Sequence, residues 1–186
     1  MRSVLVSIVL LLMSGFLSAQ PAEKKSAPVA APAKPVAALA WLVGGVWTAD
    51  ASKMGSGLQR IETRYEWSDN GAYLHFTTHF VSDNGTLKAY AGSLYWDPEK
   101  KALAIWYMDA EGEITQGPME WADDLLRVTF RGPDFSGKVA DLKVDVTRKN
   151  NDHYHWAVSE KSGNSWQELG ALEYLRQSAD STQKPS

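Results

Sequence analysis

The stretch "RIETRYEWSDNGAYLHFTTHFVSDNGTLKAY", Arg60 to Tyr90, decides the fold. Ile61, Thr63, Tyr65 and Trp67 alternate with Arg60, Glu62, Arg64 and Glu66, the period of two that marks a strand with one wet face. "DNGA" and "DNGT" follow at short intervals, and Asn-Gly accepts the positive φ angles that a two-residue hairpin turn demands. Centring the first turn on Asn70-Gly71 fixes the register. Trp67 then faces Leu74, Tyr65 faces Phe76, Thr63 faces Thr78 and Ile61 faces Phe80, all on the inner face. On the outer face Glu66 meets His75 and Glu62 meets His79. The same count about Asn84-Gly85 places Phe76 beside Ser93 and Leu74 beside Tyr95.

Beyond Tyr90 the pattern repeats in "KALAIWYMD", "EITQGPMEW", "LLRVTFRG", "VADLKVDVTR", "HYHWAVSE" and "SWQELGALEYLRQ". With the earlier segments this makes about ten short strands, and no 3.6-residue period follows Gly44. The class is all-β. A meander of about ten up-and-down antiparallel strands closes most economically as a barrel, because closure removes both exposed edges. Ala38 to Val43, just ahead of the first strand, is expected to form a short helical turn that plugs one end.

The flanks read differently. Arg2 precedes "SVLVSIVLLLMSGFLSA", an apolar run that ends on small residues and reads as a signal peptide over 1–19, cleaved after Ala19. Residues 20–38 are Ala- and Pro-spaced, with too few large apolar side chains to offset the entropy of ordering them, and read as a linker. The barrel is assigned to 39–177 and a disordered tail to 178–186. These assignments predict an exported bacterial protein, periplasmic or secreted, with no stable membrane anchor after cleavage. Absence of cysteine excludes disulfides, thiolate metal sites, a cysteine nucleophile and a lipid-bearing cysteine. A net charge of −3 without a basic patch argues against nucleic acid as a partner.

A short apolar turn, then Gly45-x-Trp47 at the start of the first strand, then a meander that ends on Arg176 in "LEYLR", resembles the calycins. Within that group the layout is most similar to nitrobindin-like barrels and to secreted bacterial lipocalin-like domains. The resemblance implies that Trp47 seals the closed end and that Arg176 lies across it. A guanidinium on an indole adds about 0.5 to 2 kcal/mol beyond packing. Nitrobindins hold haem through a histidine of the last strand. Here that strand reads "WQELGALEYLR" with no histidine after His155, so haem is not carried over and no cofactor is expected.

Inward parity collects Tyr65, Trp67, Phe76, Tyr95, Tyr107, Phe130, Tyr154 and Trp156, apolar bodies tipped with hydroxyl or indole donors. Gln116 and Glu120 are expected inside as the polar members, and a carboxyl there would have its pKa raised. About ten strands make a cylinder wide enough for a small apolar or amphipathic ligand, which is the function expected. No catalytic machinery is legible, and an enzyme acting through Glu120 or a histidine is the alternative from another class. "HYH" sets His153 and His155 on one face, but Tyr154, Trp156 and Val158 claim the interior, so no metal site is expected. Outside, Trp106 is expected between Gly92 and Gly117, with Tyr73, Tyr90, Leu94, Trp96 and Met119 nearby. That aromatic patch suggests a homodimer or a docked segment, the second alternative. A two-residue turn at Gly163-Asn164 would send Arg176 outward. The lid on Trp47 requires a bulge or a longer loop in the last strand.

Overall fold

A computed structural model describes residues 34–55, 57–134 and 136–178. The signal peptide, linker residues 20–33 and the tail beyond Ser178 lie outside the described residues. Helix α1 (Lys34–Ala37) and a 3-10 turn (Ala40–Leu42) lead into β1 (Val46–Asp50). Then come β2 (Leu58–Trp67), β3 (Leu74–Ser82), β4 (Gly85–Asp97), β5 (Ala102–Asp109) and β6 (Ile114–Ala122). β7 (Leu125–Pro133), β8 (Val139–Asn150), β9 (His153–Ser162) and β10 (Ser165–Gln177) complete the chain. Each strand pairs antiparallel with its neighbours in sequence, and β1 meets β10, so the fold is the ten-stranded closed up-and-down barrel that the alternation requires.

The first hairpin has the register that Asn70-Gly71 dictates: Trp67 opposite Leu74, Tyr65 opposite Phe76, Thr63 opposite Thr78, Ile61 opposite Phe80. Its turn is of another type. Gly71 alone takes a positive φ, 66°, while the Asn70 side chain accepts hydrogen bonds from Ser68 Oγ and Ala72 N. At the second hairpin the count fails. The loop is Asp83-Asn84, with Ser82 paired to Gly85, and a bulge at Ala89 then moves the register again. Phe76 therefore faces Gly92 and Leu74 faces Leu94, which turns the faces of β4 over. Tyr95 points out, whereas Tyr90, Leu94 and Trp96 point in.

β6 is displaced for a related reason. The Asp109 carboxylate accepts the Glu111 and Glu113 amides and builds a three-residue loop, so Met108 pairs with Ile114 and Trp106 with Gln116. Gln116 and Glu120 are consequently outside, and Met119, 3% exposed, is inside. Glycine holds these strands close: a Cβ on Gly92 would stand 2.2 Å from the Trp106 carbonyl oxygen, and one on Gly117 2.4 Å from that of Thr129. Gly92 and Gly117 lie on the inner face, not beside the outward Trp106 ring. β10 contains the bulge that its lid role requires, between Glu168 and Gly170, and this brings Leu172 and Tyr174 to the inside.

The N-terminal segment closes one end. Val36, Leu39 and Leu42 are fully buried beneath the barrel, so Val36, placed in the linker by its composition, belongs to the core. β1 is short. It pairs with β10 only over Val46–Thr48 opposite Gln177–Leu175, a narrow seam in an otherwise broadly laddered wall.

Candidate functional site

The barrel has a sealed floor and a mouth. At the floor, Trp47 has no accessible surface, and its indole Nε1 donates to the Leu42 carbonyl at 2.7 Å. Trp41 stands edge-on to Trp47 and to Tyr154, each at 5.8 Å between centroids, and Tyr154 stacks on Tyr174 at 4.7 Å. The Trp41 Nε1 is buried without a hydrogen-bond partner. Arg176 pairs directly with Trp47 across the seam and lays its guanidinium 4.3 Å from that ring. The same group donates to the carbonyls of Val43 at 2.6 Å and Gly44 at 2.5 Å, to Asn151 at 2.7 Å, and to Trp41. One fork thus ties the plug, the β8–β9 loop and the last strand together, satisfying carbonyls that the turn leaves open. Gly45 is required here, because its φ is 70° and a Cβ would come within 2.4 Å of the Gln177 oxygen.

Above the floor the inner face is aromatic. Tyr65 and Phe76 lie 6.0 Å apart, Phe76 and Tyr107 6.4 Å, Tyr107 and Phe130 6.2 Å. Tyr107 and Phe130 flank the bare inner surfaces of Gly92 and Gly117, so the rings occupy space that missing side chains leave. The polar groups inside are hydroxyls. Thr63 and Thr78 share a 3.0 Å hydrogen bond, and the phenols of Tyr174, Tyr65 and Tyr107 lie near Thr63, Tyr154 and Thr115 respectively. Burial pushes the Tyr65 phenol up to about 12 and holds Tyr154 well above the ordinary tyrosine value, so both stay protonated.

These inward rings keep some exposure. Tyr65, Trp67, Phe76, Tyr107, Phe130 and Trp156 are only partly buried, as are the aliphatic Ile105, Val144 and Val146 and the floor ring Trp41, whereas Trp47, Leu39 and Leu42 are sealed. Of the residues expected to line the interior, Tyr65, Trp67, Phe76, Tyr107, Phe130, Tyr154 and Trp156 face it. Tyr95, Gln116 and Glu120 do not. Glu120 stands on the outer wall opposite Arg127, which forms a two-pronged ion pair with Asp145 at 2.7 and 3.1 Å.

Outside, the expected aromatic patch disperses. Tyr90, Leu94, Trp96 and Met119 are inside, which leaves Trp106, 38% exposed, on the wall and Tyr73 in the β2–β3 loop edge-on to His75. All four histidines lie on the outer face. His153 and His155 both hydrogen-bond the Glu173 carboxylate at 2.7 Å, and His75 meets Ser93 Oγ at 3.3 Å. Among the described residues no cluster of metal-ligating side chains has the geometry to hold an ion. The inner face also offers haem iron no imidazole, and its protonated phenols are poor substitutes for one, so the residues present do not fit haem. Two depressions open at the surface, the first lined by the inward Phe130 and Leu142 as well as by outer residues. One, about 400 Å³, lies beside Trp166, Asp141 and Lys161, and the other, about 170 Å³, beside Arg64, His75 and His79.

No protein-family model matches the chain, and no curated protein matches it in sequence. Eight chains of solved structures match. One is the crystal structure of Rv2717c from M. tuberculosis, 16% identical, with 78% of this chain and 98% of that chain covered and a TM-score of 0.50. At that identity the likeness is one of fold alone, a closed antiparallel β-barrel.

Proposed function

We propose that the protein binds a small, largely apolar molecule inside the barrel and performs no chemistry on it. One observation carries this reading: the inward rings Tyr65, Phe76, Tyr107 and Phe130 stay partly accessible, while Trp47, Leu39 and Leu42 at the floor are sealed. A cylinder packed solid would bury both levels alike. Aromatic walls with a few hydroxyls at fixed positions are the usual make-up of a small-molecule site. The enzymatic alternative through Glu120 loses its support, since that carboxylate is outside beside Arg127. The dimer alternative loses most of its surface to the interior. Export through the N-terminal leader belongs to the same reading and places the binding event in the periplasm or beyond it.

Native mass spectrometry of the freshly purified full chain tests the reading. A retained small molecule, or saturable one-to-one quenching of tryptophan fluorescence by an added apolar compound, is expected. Absence of both, with the protein folded, would sink it.

A further inference from the structure

We propose that the molecule this barrel takes is electrically neutral, with a flat face and at least one hydrogen-bonding atom; this rests on the interior binding reading above. The argument comes from where the charges sit. Between floor and mouth every described charged side chain points outward, where Arg60 pairs with Glu62, Arg131 with Asp141, and Arg127 and Lys143 with Asp145. Four charged strand residues have inward parity, and all are at the ends, Arg176 being the floor lid on Trp47. Arg148 lies against the Trp41 ring at the floor, 5.4 Å from its centroid, and bonds Asn151. At the mouth Asp109 is occupied by the Glu111 and Glu113 amides, and Glu160 lies 3.9 Å from Lys138. An ionised ligand group brought between these ends would lose its water and meet no counter-charge, a heavy cost in an apolar site.

What the interior does offer suits a neutral guest. The hydroxyls of Thr63, Thr78, Tyr65 and Tyr107 each act as donor or acceptor. Tyr65, Phe76, Tyr107 and Phe130 form a continuous aromatic wall across β2 to β7, and Val144 and Val158 of β8 and β9 form an aliphatic wall around the circle from it. A planar body between such walls makes face and edge contacts with the rings.

A matched pair of dyes separates this inference from the one beneath it. N-phenylnaphthylamine is neutral, and anilinonaphthalene sulfonate carries the same ring system with an added sulfonate. Titrated into the full chain with fluorescence detection, the neutral dye is expected to bind one to one, at least about tenfold tighter than the sulfonate. Thr115→Lys, which sets an ammonium inside near the mouth, is expected to narrow that ratio. Equal or tighter binding of the sulfonate by the unaltered chain, with the neutral dye also bound, would overturn neutrality and leave the interior site standing. Failure of both dyes to bind would overturn the interior site and this inference together.

Discussion

At the floor Trp47, Leu39 and Leu42 keep essentially no surface, while toward the mouth the inward Leu87 keeps 56% of its own and Tyr90, Tyr107 and Phe130 stay partly exposed. Apolar side chains are plentiful at both ends. What differs is a lid. The floor is crossed by a segment of Val36 to Val43 tied down by one arginine, whereas the described connections at the mouth are short hairpin loops and a 3-10 turn (Ser52–Met54) between β1 and β2. Closure therefore depends on a single extra stretch of chain rather than on the hydrophobicity of the strands.

Matched truncations test that contrast most directly. Trp47→Ala is expected to cost about 3 to 5 kcal/mol in denaturant unfolding. Phe130→Ala, which removes a ring only partly out of water, is expected to cost about 1 to 2 kcal/mol. Equal losses would mean that the interior is packed throughout and that the two ends do not differ. Arg176→Ala comes next, at about 2 to 3 kcal/mol, because several plug and loop carbonyls lose a charged donor. Arg176→Lys is expected to recover less than half of this, since an ammonium cannot present the planar fork. Full recovery would reduce the residue to a point charge.

Gly92→Ala is expected to cost about 1 to 3 kcal/mol through overpacking against backbone at Trp106, and a neutral result would mean that β4 and β5 are not held so close. The smallest effect concerns pH. Burial raises the phenols of Tyr65, Tyr154 and Tyr174, so the folded state keeps protons that the unfolded chain releases near the ordinary value of 10.0. Their contribution is complete below 10.0 and is lost as pH rises through the folded values, about 12 for Tyr65. Unfolding midpoints are expected to stay level towards that lower limit and to fall above it. A flat profile there would place the three phenols in water.

The first hairpin was legible because Asn70-Gly71 centres an even loop and nothing later in β2 or β3 disturbs the alternation from Ile61 to Trp67. The next was not. A loop set one residue earlier and a bulge at Ala89 each shift the count, and neither leaves a mark in side-chain type: "LKAYAG" alternates as well as any regular strand. The error travelled to Tyr90, Tyr95, Leu94 and Trp96, because a one-residue slip exchanges the two faces of a strand. Gln116 and Glu120 were misplaced by the Asp109 loop, whose geometry comes from a carboxylate capping its own backbone. Ten strands, their closure and the Trp47–Arg176 lid survived these slips, since they rest on the overall alternation and on the chain's ends. The lid also needed an irregularity in β10, which the structure supplies between Glu168 and Gly170.

The narrow join between first and last strands has a kinetic consequence. Thr48 and Leu175, which share a hydrogen bond there, are 127 positions apart, so the final stitch links near-opposite ends of the folded part of the chain. Such remote pairings form slowly, after the local hairpins have zipped. Until Leu175 to Gln177 meet Val46 to Thr48, the meander is a curled ribbon whose indole at position 47 has no roof. The last three ladder residues convert an open sheet into a vessel.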